Sequence, residues 1–127
     1  MQKNNVNSIR ECINAICCFA KQVNLEQNKS LRELFRETRY KEYGVKITIE
    51  NIENTLKKNP DYIDDWLLYS QNKRCTPAWY FVKQPTNVFV IGYLDSDGKK
   101  VSEKIMNNSI TACAYMIRME MDELNQK

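Results

Sequence analysis

Two groups of side chains in this chain have the types and the spacing to do chemistry. Arg32, Arg36 and Arg39 recur at i, i+4 and i+7, with Tyr43 on the same line. On a helix that spacing makes one row, and a row of guanidinium forks can grip phosphates or a carboxylate-rich partner bidentately. Asp61, Asp64 and Asp65 crowd a single short stretch. Carboxylates this close can hold a divalent cation or serve as an acid/base pair. Each group also has a purely structural use. Glu33 and Glu37 lie on the stripe beside the arginines, so the row can be one half of a solvated mixed-charge surface. Acids in the first turn of a helix are stabilised as caps and by the positive end of its dipole.

The rest of the chemical inventory is short. The chain contains no histidine, which excludes the common zinc ligand sets, the Ser–His and Cys–His nucleophile pairs and imidazole bases. Its five cysteines, Cys12, Cys17, Cys18, Cys75 and Cys113, form no CxxC pair and lie mostly at helical core positions. Reduced, inert thiols are expected, rather than a disulfide framework. The string Asp95-Ser96-Asp97-Gly98 invites a calcium-loop reading, but the position that should carry the closing acid is Met106, so a tight turn is expected instead. No Gly-rich phosphate loop, metal-ligand spacing or internal repeat is present. No catalytic residue, no metal and no cofactor is therefore expected, and the chain is read as a non-enzyme.

The elements that must position these groups can be traced in order. Ser8 and Glu11 make a capping box for a helix over about 7–24, with Ile9, Cys12, Ile13, Ile16, Ala20 and Val23 on one buried stripe and Cys18 opposite it. Ser30 and Glu33 repeat the box for a second helix that carries the arginine row and stops at Gly44. A third starts at Thr48 and ends before Asn59-Pro60, because the residue before proline resists helical torsions. Asp61 is expected to cap a fourth, from Tyr62 to about Asn72, with Tyr62, Trp66 and Tyr69 on its inner line. A basic connector, Lys73-Arg74-Cys75-Thr76-Pro77, then leads to aromatic and β-branched runs over 78–83 and 88–94, with an alternating run over 99–105. The last run reads as an edge strand guarded by lysines, with Val101 and Ile105 on one side. The middle run is apolar on both faces and so is expected to be central and covered twice. A final helix from Asn108 or Ser109 is apolar on two sides and is expected to lie between the sheet and other helices.

The fold class is accordingly α+β: N-terminal helices, a three-stranded antiparallel β-meander and a C-terminal helix packed on the sheet. With 127 residues, 43% hydrophobic and 28% charged, and only 3 Gly and 3 Pro, a single folded domain over 1–127 is expected, helical over about 7–72 and meander plus helix over about 77–125. No apolar run approaches the length of a membrane span and no signal-peptide core is visible, so a cytoplasmic protein with no membrane contact is expected. Net charge is +3, with the basic excess in the first half of the chain, and that alone names no partner.

Trp66-Leu67-Leu68-Tyr69-Ser70, Lys73-Arg74, Ala78-Trp79-Tyr80, Gly92-Tyr93 and the helix Ile110-Thr111-Ala112-Cys113-Ala114-Tyr115-Met116-Ile117 together resemble immunity proteins of bacterial contact-dependent growth inhibition systems, over roughly residues 60–125. The resemblance implies a small cytosolic protein that binds the C-terminal domain of a cognate toxin, commonly a nuclease, and blocks its active site or substrate surface. Such a protein needs a stable scaffold and a charged surface complementary to one partner. Against a basic toxin cleft the acids Asp61, Asp64, Asp65, Asp95 and Asp97 would serve, and these are the preferred expectation. Against an acidic cleft the row Arg32, Arg36, Arg39 and Tyr43 would serve. The alternative function is a small nucleic-acid-binding or regulatory module using that row, although nucleic acid is not the expected partner. The oligomeric state is left open.

Overall fold

The computed structural model describes residues 7–26, 28–73 and 76–126. Arg74 and Cys75 of the basic connector fall outside them. In chain order the elements are helices α1 (Ile9–Cys17), α2 (Phe19–Leu25), α3 (Leu31–Thr38) and α4 (Tyr40–Tyr43), a 3₁₀ turn (Gly44–Lys46), then α5 (Ile49–Lys58) and α6 (Asp61–Gln71). The strands β1 (Ala78–Lys83), β2 (Phe89–Leu94) and β3 (Lys100–Met106) follow, and α7 (Ser109–Asn125) closes the fold. The sheet is an antiparallel meander in the order β1-β2-β3, and the α+β class expected from the sequence is what the chain adopts. Among the described residues no helix is long and apolar enough to cross a membrane.

Both N-terminal helices are interrupted where the sequence pattern predicts continuity. The first bends at Cys18 (φ −95°, ψ 8°), although Cys18 N–H still donates to Asn14 O and Gln22 N–H to Cys18 O. The cause lies far along the chain: Trp66 Nε1 donates to Cys17 O at 2.9 Å, and a side chain that competes for a helical carbonyl is a recognised origin of kinks. Bending lets Cys17 and Phe19 join Cys12, Ile16 and Ala20 in the core. The second helix breaks at Arg39, which takes a left-handed conformation (φ 58°, ψ 29°). Buried Thr38 supplies the reason, since its hydroxyl donates to Phe35 O at 2.6 Å and accepts from Tyr40 N–H at 3.2 Å, diverting the backbone locally. Gly44 follows the last turn in the right-handed region (φ −57°). Its lack of a side chain serves packing, because an added Cβ would lie 2.8 Å from the Tyr40 ring.

The later helices follow their caps more closely. Thr48 and Asn51 form a reciprocal box at the start of α5, and Asn108 Oδ1 accepts from Ile110 and Thr111 N–H at the start of α7. Asp61, expected as the cap of α6, is instead its first helical residue. Pro60 occupies the cap position, and no side chain bonds there. Proline with its fixed φ suits the start of a helix, where backbone N–H groups lack partners anyway.

β2 is central, but helices cover only one face of the sheet. Phe81, Phe89 and Ile91 face the helical layer, where the rings of Phe81 and Phe89 stack 5.9 Å apart, and α7 lies between this face and α5. On the opposite face Val90 is shielded by its cross-strand neighbours Val82 and Ile105. Tyr80 lies across Gly92, where a Cβ would meet its hydroxyl at 2.2 Å. Val101 and Ile105 of β3 are exposed, at 57% and 68%. The expectation of a doubly covered central strand is thus corrected. A tyrosine and two aliphatic neighbours do the work assigned to a second layer.

Candidate binding groove beside the arginine row

The capping box of α3, Ser30 Oγ accepting from Glu33 N–H and Glu33 Oε1 from Ser30 N–H, fixes where that helix starts. With Leu34 and Thr38 buried, the 3.6-residue period then turns Arg32 and Arg36 outward. The break after Thr38 does not scatter the row. Arg32, Arg36 and Arg39 line one groove of about 480 Å³, floored by Leu31, Phe35 and Leu124, with Lys41 and Glu42 at its margin.

The three arginines differ in their partners. The Arg39 guanidinium donates through Nε and Nη2 to the Glu42 carboxylate and sits 5.6 Å from the centroid of the Tyr43 ring. That pairing holds the Glu42 carboxyl below its usual range. Tyr43 supports the row from beneath and packs partly against the core. Arg32 and Arg36 are exposed, and among the described residues no carboxylate lies within ion-pair distance of either. Of the two acids expected to offset the row, Glu37 pairs with Lys29 at 2.6 Å, and Glu33 is held in the capping box with Ser30 rather than in an ion pair with Arg36. The groove thus presents two exposed guanidinium groups over an apolar floor, neither in an ion pair among the described residues, with the Glu33 carboxylate near enough to Arg36 to feel its charge.

The acidic residues are arranged differently. Asp61 and Asp64 are exposed on the first turn of α6, with Asp65 half-buried beside them. Burial pushes the Asp65 carboxyl up, Lys21 opposes this, and Asp64 and Asp61 add to it. Asp95 and Asp97 lie in the β2–β3 turn, where Asp95 Oδ1 accepts from Asp97 N–H at 2.9 Å and Lys99 N–H at 3.0 Å. Gly98 takes φ +80° there, as the turn requires. Thr76, past the C-terminal end of α6, donates to Ser96 O in that same turn, so the two acidic groups sit at opposite ends of a helix that spans about 16 Å. Among the described residues no three His, Cys, Asp or Glu side chains converge as metal ligands do.

A third constellation escaped the sequence reading. Glu120 on α7 is 3% exposed. Its Oε2 accepts from the Tyr69 hydroxyl at 2.5 Å and its Oε1 from Lys73 Nζ at 2.6 Å, while Lys73 also donates to Trp79 O at 2.9 Å. These groups form the floor of a second cavity, about 290 Å³, walled by Val23, Leu31, Pro77, Ala78 and Leu124. Both oxygens of Glu120 are engaged, which suits it to clamp α6, α7 and β1 together. One signal was present in the sequence: Glu120 falls on the apolar stripe of α7, seven residues after Cys113 and three after Ile117.

The described cysteines, Cys12, Cys17, Cys18 and Cys113, are held as thiols. Burial raises Cys12 to about 11 and pushes Cys17, Cys18 and Cys113 up as well, and a thiol without its thiolate form is a poor nucleophile. Comparison with protein-family models, with curated proteins and with solved structures found no match to this chain.

Proposed function

We propose that this chain works by binding rather than by catalysis, as an immunity protein that captures a cognate toxin domain, commonly a nuclease in such systems, and covers its active site or substrate surface. The observation that carries the reading is the groove itself: exposed Arg32 and Arg36, neither in an ion pair among the described residues, beside Leu31, Phe35 and Leu124. A bidentate arginine–carboxylate pair desolvated on an apolar floor gives both strength and selectivity to a protein contact. The acids of α6 and of the β2–β3 turn lie toward opposite ends of α6 and share no groove with an apolar floor, and for that reason the arginine groove is the contact surface preferred in this reading.

The test is co-expression with the product of the adjacent upstream reading frame. Growth should be rescued, the two proteins should co-purify, and Arg32→Ala with Arg36→Ala should weaken the pair by at least about tenfold, the loss of one charged hydrogen-bonded contact. Independent elution of the two wild-type proteins from a sizing column would remove the immunity reading. The same exposed positive row also supports the nucleic-acid alternative. Salt-sensitive binding to random RNA or DNA, lost in the double variant, would select it.

A further inference from the structure

The arginine groove and the cavity over Glu120 have two residues in common: Leu31 and Leu124 line both. They form a shared wall between a charged compartment and a largely apolar one. We infer that the two compartments make one bipartite cleft, which takes an acidic protein segment bearing a single bulky apolar side chain. The carboxylates of the segment meet Arg32 and Arg36, and its apolar side chain enters the cavity over Tyr69, beneath Leu31 and Leu124. This assignment rests on the proposed role of the groove as a partner-binding surface and adds the chemistry of the segment it receives.

Charge decides between occupants. In the first compartment Arg32, Arg36, Arg39 and Lys41 face a single acid, Glu42, so an anionic segment is favoured there. The second compartment contains Glu120 and Glu123, and only Glu120 is neutralised by Lys73. A phosphate or carboxylate would be repelled there, whereas an apolar side chain is not. A nucleic-acid strand would bring phosphates close to Glu120 and Glu123 together with any base that entered the second half, which disfavours it there. A peptide alternating acid with one large apolar residue can. Leu31, 39% exposed at the junction, would lose water to such an occupant, as the apolar centre of a protein interface does.

The experiment uses the full chain and fluorescence anisotropy with three labelled probes: a short Asp/Glu-rich peptide with a central Phe, the same peptide with Gly in place of Phe, and a single-stranded oligonucleotide. The Phe peptide should bind at least about tenfold more tightly than the Gly peptide, a ratio that burial of one large apolar side chain supports. Arg32→Ala with Arg36→Ala should weaken both peptides. Asn72→Trp, which fills the mouth of the second cavity, should erase the preference for Phe, with circular dichroism melts confirming that each variant folds. Equal binding of the two peptides would overturn the bipartite cleft, and so would an oligonucleotide that outcompetes both. If no peptide binds while co-expression still protects growth, the cleft fails and the parent reading stands. If protection itself fails, the parent reading is the one removed.

Discussion

At the scale of single residues, the strongest commitment in this molecule is the buried cluster of Glu120, Lys73 and Tyr69. A carboxylate 3% exposed is costly to leave alone, and truncating one partner of a buried ion pair typically costs about 3–5 kcal/mol because the other charge is stranded. Lys73→Met should therefore lower the urea-unfolding free energy by about 3 kcal/mol, and Glu120→Gln by less, since the amide can still accept from Tyr69. Replacing both together, by Met and Gln, should cost less than the sum of the two. Additive losses in that double-mutant cycle would show that the pair is not coupled. The case also marks what sequence reasoning can reach. A charged residue on the apolar stripe of α7 was visible, but Lys73 lies 47 positions away, and nothing in local spacing joins them. The arginine row was visible by its period. That Glu37 turns to Lys29 and Glu33 to the Ser30 N–H, leaving Arg32 and Arg36 without an ion pair among the described residues, is a rotamer choice, which composition does not encode.

At the scale of elements, caps and strands were legible while kinks were not. The Ser8, Ser30 and Thr48 starts, the strand over 78–83 and the proline stop after α5 all follow from local rules that act within a few residues. The bends at Cys18 and Arg39 are imposed by tertiary partners or by a buried hydroxyl, and helical periodicity alone reads straight through them. Trp66 makes the difference measurable. Its indole bond to Cys17 O spans 49 positions, and Trp66→Phe keeps most of the ring volume while leaving that carbonyl without its donor. The variant should lose about 1–3 kcal/mol, the cost of an unsatisfied buried polar group plus a small cavity. Amide hydrogen exchange should accelerate selectively around residues 17–22. Uniform acceleration across the whole chain would mean that the indole bond does not control the bend.

At the scale of the whole molecule, the sheet has one face built for the core and one left to its own side chains. Strand apolarity alone suggested two covering layers, because a run apolar on both faces cannot distinguish a helix overhead from a tyrosine lying flat across a glycine. Two isoleucines on neighbouring strands separate the possibilities. Ile91, 2% exposed, faces the helices, and Ile105, 68% exposed, faces water. Ile91→Ala should cost about 2–5 kcal/mol by leaving a cavity against α7, whereas Ile105→Thr should stay within about 0.5 kcal/mol of the parent. Chemical denaturation of both variants measures the contrast, and similar losses would mean that the outer face is covered after all. With the expected contrast, the sheet serves as a one-sided platform whose inner face holds α7 in place. The C-terminal turn of that helix carries Leu124 to the junction of the two cavities, so the platform positions the cleft without forming it. On the proposed binding role, partner specificity could be altered on α3 and the end of α7 while the β-meander keeps the fold, and substitutions of Arg32 and Arg36 should change binding with little change in the unfolding midpoint.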